Sequence, residues 1–363
     1  MYVEINPDLS LRERRLQRVK TAVVILNWNT KDYLRRFLPG LIASTEGLDA
    51  EVIVADSAST DGSLAMLAEE FPSISQIPLD DNYGYTGGYN RALSQVKADY
   101  YVLINSDIEV PANWLKPLVA WMDTHPHCGA CGPKLLSWDQ RNTFEYAGAA
   151  GGLLDRYGYP FCRGRALQVI EKDNGQYDKP TDVFWVSGAC LMVRSRLWKE
   201  LGGLDDRFFA HMEEIDLCWR MQLAGYQVTI VPDSFVYHIG GGTLPNDSPF
   251  KLRLNFRNNL LLLENNLART FRARGMPVYT ALRKARQRIL FRMLLDGAAA
   301  CSFLITKRWP FYKAVVRAHV EYRKLRRKPS PDEVAAQKEA TIHGWYPRWM
   351  VPRALSGRII RFI

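Results

Sequence analysis

Three short runs of unalternated, largely β-branched or aromatic residues constrain this chain most: Thr21-Ala-Val-Val-Ile-Leu26, Glu51-Val-Ile-Val-Ala55 and Tyr100-Tyr-Val-Leu-Ile104. A strand that is apolar on both faces must be covered on both, which is the condition of a parallel sheet between layers of helix. Segments of helical length at 31–45, 62–71 and 87–97 alternate with these runs. That spacing matches right-handed strand–helix–strand crossovers, so the expected class is α/β with a mostly parallel central sheet. In such sheets ligands bind beyond the carboxyl ends of the strands, and the residues there are the first candidates for chemistry.

They are unusually polar: Asn27-Trp-Asn29, Asp56-Ser-Ala-Ser59-Thr-Asp61-Gly, Asn82-Tyr-Gly84 through Gly87-Gly88-Tyr-Asn90, and Asn105-Ser106-Asp107. An aspartate leaving a buried strand, as Asp107 does, can ionise and hold a hard divalent cation; the competing reading is a solvated loop carboxylate. Asp56 can accept hydrogen bonds from a nucleobase or a ribose, or it can cap a turn with Ser57 and Ser59. The glycines at 84, 87 and 88 permit close backbone approach, but their spacing is neither the dinucleotide fingerprint nor a P-loop.

Further along, Val183–Val193 is a second apolar block, and a helical segment at 210–224 ends at Gly225 as a helix stop would. Its start carries Glu213 and Glu214. Adjacent helical side chains project about 100° apart, so only one of the two is expected to face a given cleft. Asp216 and Arg220 have the spacing of a helix-surface ion pair. Gln227–Val231 reads as a strand, and beyond it His238 precedes glycines 240–242. This histidine is either a metal ligand or a satisfied structural residue.

The charge is divided. Residues 1–250 hold 23 Lys/Arg against 32 Asp/Glu, a net of −9, whereas 251–363 hold 25 against 6, a net of +19. From 252 to about 328 the pattern is helical and basic, and the final stretch mixes Trp345, Trp349, Ile359, Ile360 and Phe362 with arginines. This resembles an interfacial segment whose partner is an anionic membrane surface; helical packing with solvated arginines is the alternative. No nucleic-acid-binding motif accompanies the charge. The longest apolar window, Ile289–Ile305, is interrupted by Arg292 and Asp296 and falls short of a bilayer span. The six cysteines are scattered, Cys128-Gly-Ala-Cys131 reads as packing ahead of a zinc or redox pair, and no signal-like stretch opens the chain. The expected location is therefore cytoplasmic, with peripheral attachment to the inner face of the membrane.

Taken in order, these pieces resemble the family 2 glycosyltransferases of the GT-A fold, in particular their rhamnosyltransferase-like branch, over roughly residues 20–266. The resemblance implies inverting transfer of a sugar from a dTDP- or UDP-linked donor to a hydroxyl of a glycan or lipid-linked oligosaccharide, in cell-surface polysaccharide synthesis. It implies that Asp56 holds the base, that Asp107 ends a DxD-type motif for Mg²⁺ or Mn²⁺, and that His238 adds a ligand. Asn27, Asn29, Ser59, Asp61, Asn82, Gly84, Gly87, Asn90, Asn105 and Ser106 would form the donor site. Two departures stand out. Asn105-Ser106-Asp107 offers one carboxylate where many relatives have two, and Glu213-Glu214 replaces the usual Glu-Asp, so Glu214 is the expected base and Glu213 the fallback. The expected organisation is a lead-in over 1–20, a GT-A domain over 21–266 and a basic helical region over 267–363. A nucleotidyltransferase is the rival enzyme, but Asn27-Trp-Asn29 stands where its glycine-rich triphosphate loop should follow the first strand. A non-catalytic nucleotide-sugar-binding module is the other alternative.

Overall fold

The computed structural model describes residues 19–240 and 247–355. Most of the lead-in, Gly241, Gly242 and the Ile359–Phe362 stretch lie outside them. The strands, in chain order, are β1 (Val19–Asn27), β2 (Ala50–Ser57), β3 (Ser75–Leu79), β4 (Ala98–Ile104), β5 (Ile108–Glu109), β6 (Cys128–Ser137) and β7 (Gly152–Asp155). They continue with β8 (Pro160–Cys162), β9 (Arg165–Ala166), β10 (Val169–Ile170), β11 (Thr181–Asp182), β12 (Cys190–Arg194), β13 (Gln227–His238) and β14 (Trp345–Tyr346).

The main sheet runs β11-β13-β6-β12-β4-β1-β2-β3, with β5 paired to β13. The three apolar runs are its centre: β1 lies parallel to both β2 and β4, and Ala22, Val23, Val24, Tyr101, Val102 and Leu103 have no exposed surface. The expected crossover helices are present as Lys31–Ala43, Ser63–Glu70 and Gly84–Leu93. Glycine is required in the last of these for packing: a Cβ on Gly88 would sit 2.7 Å from the Leu26 side chain. Its role is therefore to let helix meet strand.

Parallel registration aligns the strand ends. Asn27 is opposite Asp56, and Ile25 is opposite Ile104, so the polar segments that follow them converge on one edge. β12 then enters antiparallel beside β4, and β13 lies parallel to β6. The antiparallel pair β13–β5 sets His238 opposite Ile108. That register carries a histidine more than a hundred residues away in sequence to the neighbour of Asp107.

A second, smaller sheet, ordered β10-β9-β8-β7-β14, covers one side of this edge. Its last strand comes from near the C-terminus and lies parallel to β7. The basic region is thus joined back to the rest of the protein through backbone pairing. It forms helices Pro249–Ala273, Val278–Ile305 and Trp309–Leu325. The boundary expected at 266 falls inside the first, which buries Leu260 to Leu263, Leu267 and Phe271 together with Asn258, Asn266 and Thr270. Asp216 and Arg220, expected as a surface pair, are instead part of this junction. Asp216 has no exposed surface and binds Arg220 at 2.7 Å while accepting from Asn265 and Asn266. The Pro249–Ala273 helix covers the face on which the pair would have met water.

Candidate active site

Beneath the convergent edge the polar residues satisfy one another. Asn27 Nδ2 donates to Asp56 Oδ2 at 2.6 Å and to the Ser59 hydroxyl at 3.1 Å. The Ser59 backbone N–H donates to the other Asp56 oxygen at 2.8 Å. Thr30 donates its hydroxyl to Asn27 Oδ1 at 2.5 Å and lies 2.7 Å from the Ser106 hydroxyl, which ties β1 to the segment after β4. Asp61 accepts from the backbone of Lys31 and Ser63, so it caps the first turns of two helices. Burial raises its pKa, but these bonds and the Ser63 hydroxyl outweigh burial and hold it below the usual carboxylate range.

Above this floor lies a cleft of about 880 Å³. Asn82, Gly84, Asn105, Ser106, Asp107, Glu213, Glu214 and His238 of the expected site line it. Asn27, Asn29, Asp56, Ser59, Asp61, Gly87 and Asn90 do not line it. Asp56, expected to meet a nucleobase, is wholly buried, with both oxygens accepting from the protein. The turn between Ser57 and Asp61 folds over it and makes it a brace. Asn90 holds Leu204 through bonds at both ends of its amide, and Gly87 accommodates the Tyr83 side chain.

At one end of the cleft His238 Nε2 stands 3.2 Å from Asp107 Oδ1, and its Nδ1 is 3.5 Å from Glu145 Oε2. All three are buried. Burial pushes His238 down, but hydrogen bonding to Asp107 and Glu145 and their charge prevail and raise it to about 10. Asp107 is moved oppositely: burial raises it, while the His238 hydrogen bond and charge bring it below its ordinary value. Among the described residues no three metal-ligating side chains form a ready-made cage. The donor set here is the Asp107 carboxylate and the His238 imidazole, which can bind a metal only by giving up the proton that Asp107 and Glu145 hold on it, facing a roomy cleft. It suits a divalent ion whose remaining positions are filled by oxygens of a bound molecule or by water, as hard ions favour.

The two glutamates stand at the start of helix Glu213–Leu223. Both line the cleft, together with Met212 and Ile215, contrary to the expectation that only one would. The helix meets the cavity with its N-terminal end, so side chains 100° apart around its axis reach the same space. Oε2 of each has no hydrogen-bond partner in the described protein. Burial raises Glu214 to about 7. Burial, then repulsion from Glu214, raises Glu213 well above the ordinary range.

The segment leading into this helix is strained. Phe209, His211 and Met212 have φ of 64°, 69° and 74°, in a region that costs a non-glycine residue about 1–3 kcal/mol each. Asn258 of the Pro249–Ala273 helix holds it by donating to the carbonyls of Phe208, Ala210 and His211 at 2.9, 2.7 and 2.7 Å. Arg257 adds a bond to Phe208 O at 2.7 Å, and the Thr86 N–H donates to Phe209 O at 3.2 Å. Sequence reasoning missed Asn258 and Glu145. The first looks like one polar residue in a basic helix, and the second sits in Phe144-Glu145-Tyr146 with no motif around it.

Residues 22–201 match the family model described as glycosyl transferase family 2. The chain is a family 2 glycosyltransferase. It is 26% identical over 306 residues to an N-acetylglucosaminyl-diphospho-decaprenol L-rhamnosyltransferase of Mycobacterium tuberculosis, covering 76% of this chain and 97% of that one. It is 24% identical over 224 residues to rhamnosyltransferase WbbL of Escherichia coli, with 60% of this chain and 82% of that one covered. Among solved structures, GalNAc-T7 with UDP, GalNAc and Mn²⁺ superposes with a TM-score of 0.52 at 16% identity, over 75% of this chain and 54% of that one. The fold of this glycosyltransferase is thereby the GT-A fold, with a helical C-terminal region. No helix among the described residues is long and apolar enough to cross a membrane.

Proposed function

We propose that this glycosyltransferase moves a hexose, with inversion, from a dTDP- or UDP-linked donor to a hydroxyl of a lipid-linked glycan in cell-surface polysaccharide synthesis. The observation that carries the reading is that Asp107 and two glutamates with unsatisfied oxygens share one cleft of about 880 Å³. That space is within the range of nucleotide and substrate pockets. The named relatives, rhamnosyltransferases, support a deoxyhexose donor and, in one case, a diphospho-lipid acceptor.

In this reading the donor's nucleotide lies along Asn82, Asn105 and Ser106, with the Asn27–Asp56–Ser59 network keeping those residues in place. Asp107 and His238 would hold Mg²⁺ or Mn²⁺. When bound, the ion neutralises charge that develops on the departing diphosphate. Glu214 takes the proton of the acceptor hydroxyl as the acceptor oxygen bonds to the anomeric carbon and the bond from that carbon to the diphosphate oxygen breaks. A carboxyl brought to about 7 by burial is close to the operating pH, where general bases are most effective. Glu213, also raised by burial and by repulsion from Glu214, stands beside it.

A lipid-linked acceptor calls for access to a bilayer, and helix Val278–Ile305 supports such access. Arg292 and Asp296, which interrupt its apolar sequence, turn inward and pair at 2.7 Å in full burial. The exposed face from just before them to the helix end is uncharged: Leu290, Phe291, Leu294, Ala298, Cys301 and Ile305, continued by Trp309. Exposed Arg283, Arg286, Lys307 and Arg308 flank it. An apolar stripe bordered by cations is the composition of a helix lying in the plane of an anionic membrane. Replacing Leu290 and Leu294 together by Glu is expected to abolish flotation with anionic liposomes; unchanged flotation contradicts this role. The overall reading is tested by hydrolysis and transfer assays over a panel of nucleotide sugars with Mg²⁺ or Mn²⁺. Turnover of one deoxyhexose donor supports it, and binding with no turnover of any donor overturns it.

A further inference from the structure

Opposite the main sheet, the cleft is walled by the small second sheet and helix Val278–Ile305, and Arg165 of β9 and Arg292 both line it. Arg292 is neutralised by Asp296. Arg165 is not. It is 8% exposed, its Nε has no hydrogen-bond partner, and its Nη2 reaches only the Cys162 sulfur at 3.5 Å. No carboxylate lies within ion-pair distance of it among the described residues. Its guanidinium lies 4.4 Å from the centre of the Tyr146 ring, and Tyr146 also lines the cleft. A buried guanidinium with unfilled donors is costly unless an anion arrives to fill them.

We infer that Arg165 is an acceptor-binding residue that holds the diphosphate of a sugar-diphospho-lipid, with Tyr146 beside it as a platform for the sugar. The inference rests on the glycosyl-transfer reading and adds the residue that recognises the acceptor's diphosphate. A planar, permanently charged fork suits a diphosphate, to which it can donate two parallel bonds. The helix that contributes Arg292 to this end of the cleft also carries the uncharged outer face, so an anionic headgroup bound here has its lipid tail near a surface suited to receive it. In the glycosyl-transfer reading the donor's diphosphate lies at Asp107 and His238, and the donor KM distinguishes that position from the one at Arg165.

The test compares two acceptors carrying the same sugar: a glycosyl diphosphate with a short prenyl tail and the neutral octyl glycoside. Arg165→Met is expected to raise KM for the diphosphate acceptor ~10- to 100-fold, the range for losing a charged hydrogen bond. Transfer to the octyl glycoside, donor KM and donor hydrolysis should stay near wild-type values. An equal loss on both acceptors, or a raised donor KM, overturns the inference, the latter assigning Arg165 to the donor. Should Arg165→Met fail to fold, Arg165→Lys is compared with Arg165→Gln; a preference for the diphosphate acceptor kept by Lys and lost by Gln supports the assignment, and equal preference overturns it. Wild-type enzyme that transfers to neither acceptor from any donor defeats the glycosyl-transfer reading itself. Wild-type transfer with an unchanged acceptor ratio in the variants defeats only this inference.

Discussion

The floor beneath the cleft and the glutamate end of the cleft satisfy their polar groups differently. At the strand ends, Asn27, Thr30, Asp56, Ser59 and Asp61 satisfy one another or nearby backbone through short hydrogen bonds. At the glutamate end three residues adopt left-handed φ values, two buried carboxylate oxygens have no partner, and the segment is held from outside by Asn258. The first is a hydrogen-bonded scaffold, although it too contains left-handed residues, Asn29 and Ala58 at φ 53° and 57°. What sets the second apart is its unpaired acid groups, which persist because the surrounding structure enforces them. The comparison teaches that the helix Pro249–Ala273, which runs from the expected 21–266 domain into the basic region, is what holds the segment leading to the two glutamates.

The sharpest way to break the contrast is at the base. Glu214→Gln is expected to lower transfer ~10²- to 10⁴-fold, the usual worth of general-base assistance, while donor affinity by calorimetry stays unchanged. Near-normal turnover would show that the unsatisfied oxygens are incidental. Asp107→Asn is expected to act on the other end, reducing kcat/KM by about 10²-fold with a steeper requirement for Mg²⁺ or Mn²⁺. A loss that is the same at every metal concentration would argue against Asp107 as a ligand.

Asn258→Ala probes the clamp. It strips a buried donor from three carbonyls, and with about 1–3 kcal/mol for each group left unsatisfied and some relaxation, a loss of about 2–4 kcal/mol of stability is expected. Denaturant unfolding measures it. Turnover should fall more than donor affinity, because the loop it holds leads to Glu213 and Glu214; the reverse order would detach the clamp from the site.

The smallest expected effect is on stability against pH. The folded protein keeps on Glu214 a proton that the unfolded chain releases at the ordinary carboxylate value. The unfolded state therefore binds fewer protons between that value and about 7, and Glu214 makes stability fall as pH rises through this window. Thermal melts should show Glu214→Gln gaining on the wild type from pH 5 to pH 8. A gap that does not change with pH would mean that burial does not raise this carboxyl.

The contrast also explains what the sequence made legible. The scaffold end was readable because its determinants are local: a buried run followed by polar residues marks a strand end wherever it occurs, and parallel registration brings such ends together. His238 was recognised as a candidate, but only the β13–β5 pairing reveals its place beside Asp107. At Asp56 the sequence leaves two readings open, a base-holding carboxylate or a turn cap, and the structure adds that its oxygens accept from Asn27 and from the Ser59 N–H. The reactive end was legible in its residue types and not in its geometry. Nothing local says that a helix enters a cleft end-on, or that Asn258 will find three carbonyls. The second sheet escaped notice because β8, β9 and β10 have only three, two and two residues, too few for a periodic pattern.

The central claim is that Glu214, raised by burial at the end of a helix facing the donor site, accepts the acceptor's proton. It is tested most directly by kcat/KM against pH, measured with saturating divalent metal for the wild type and Glu214→Gln. The wild type should show a limb rising through about pH 7 that is absent from the residual activity of the variant. A flat wild-type profile across that range, or the same limb retained in the variant, would contradict it.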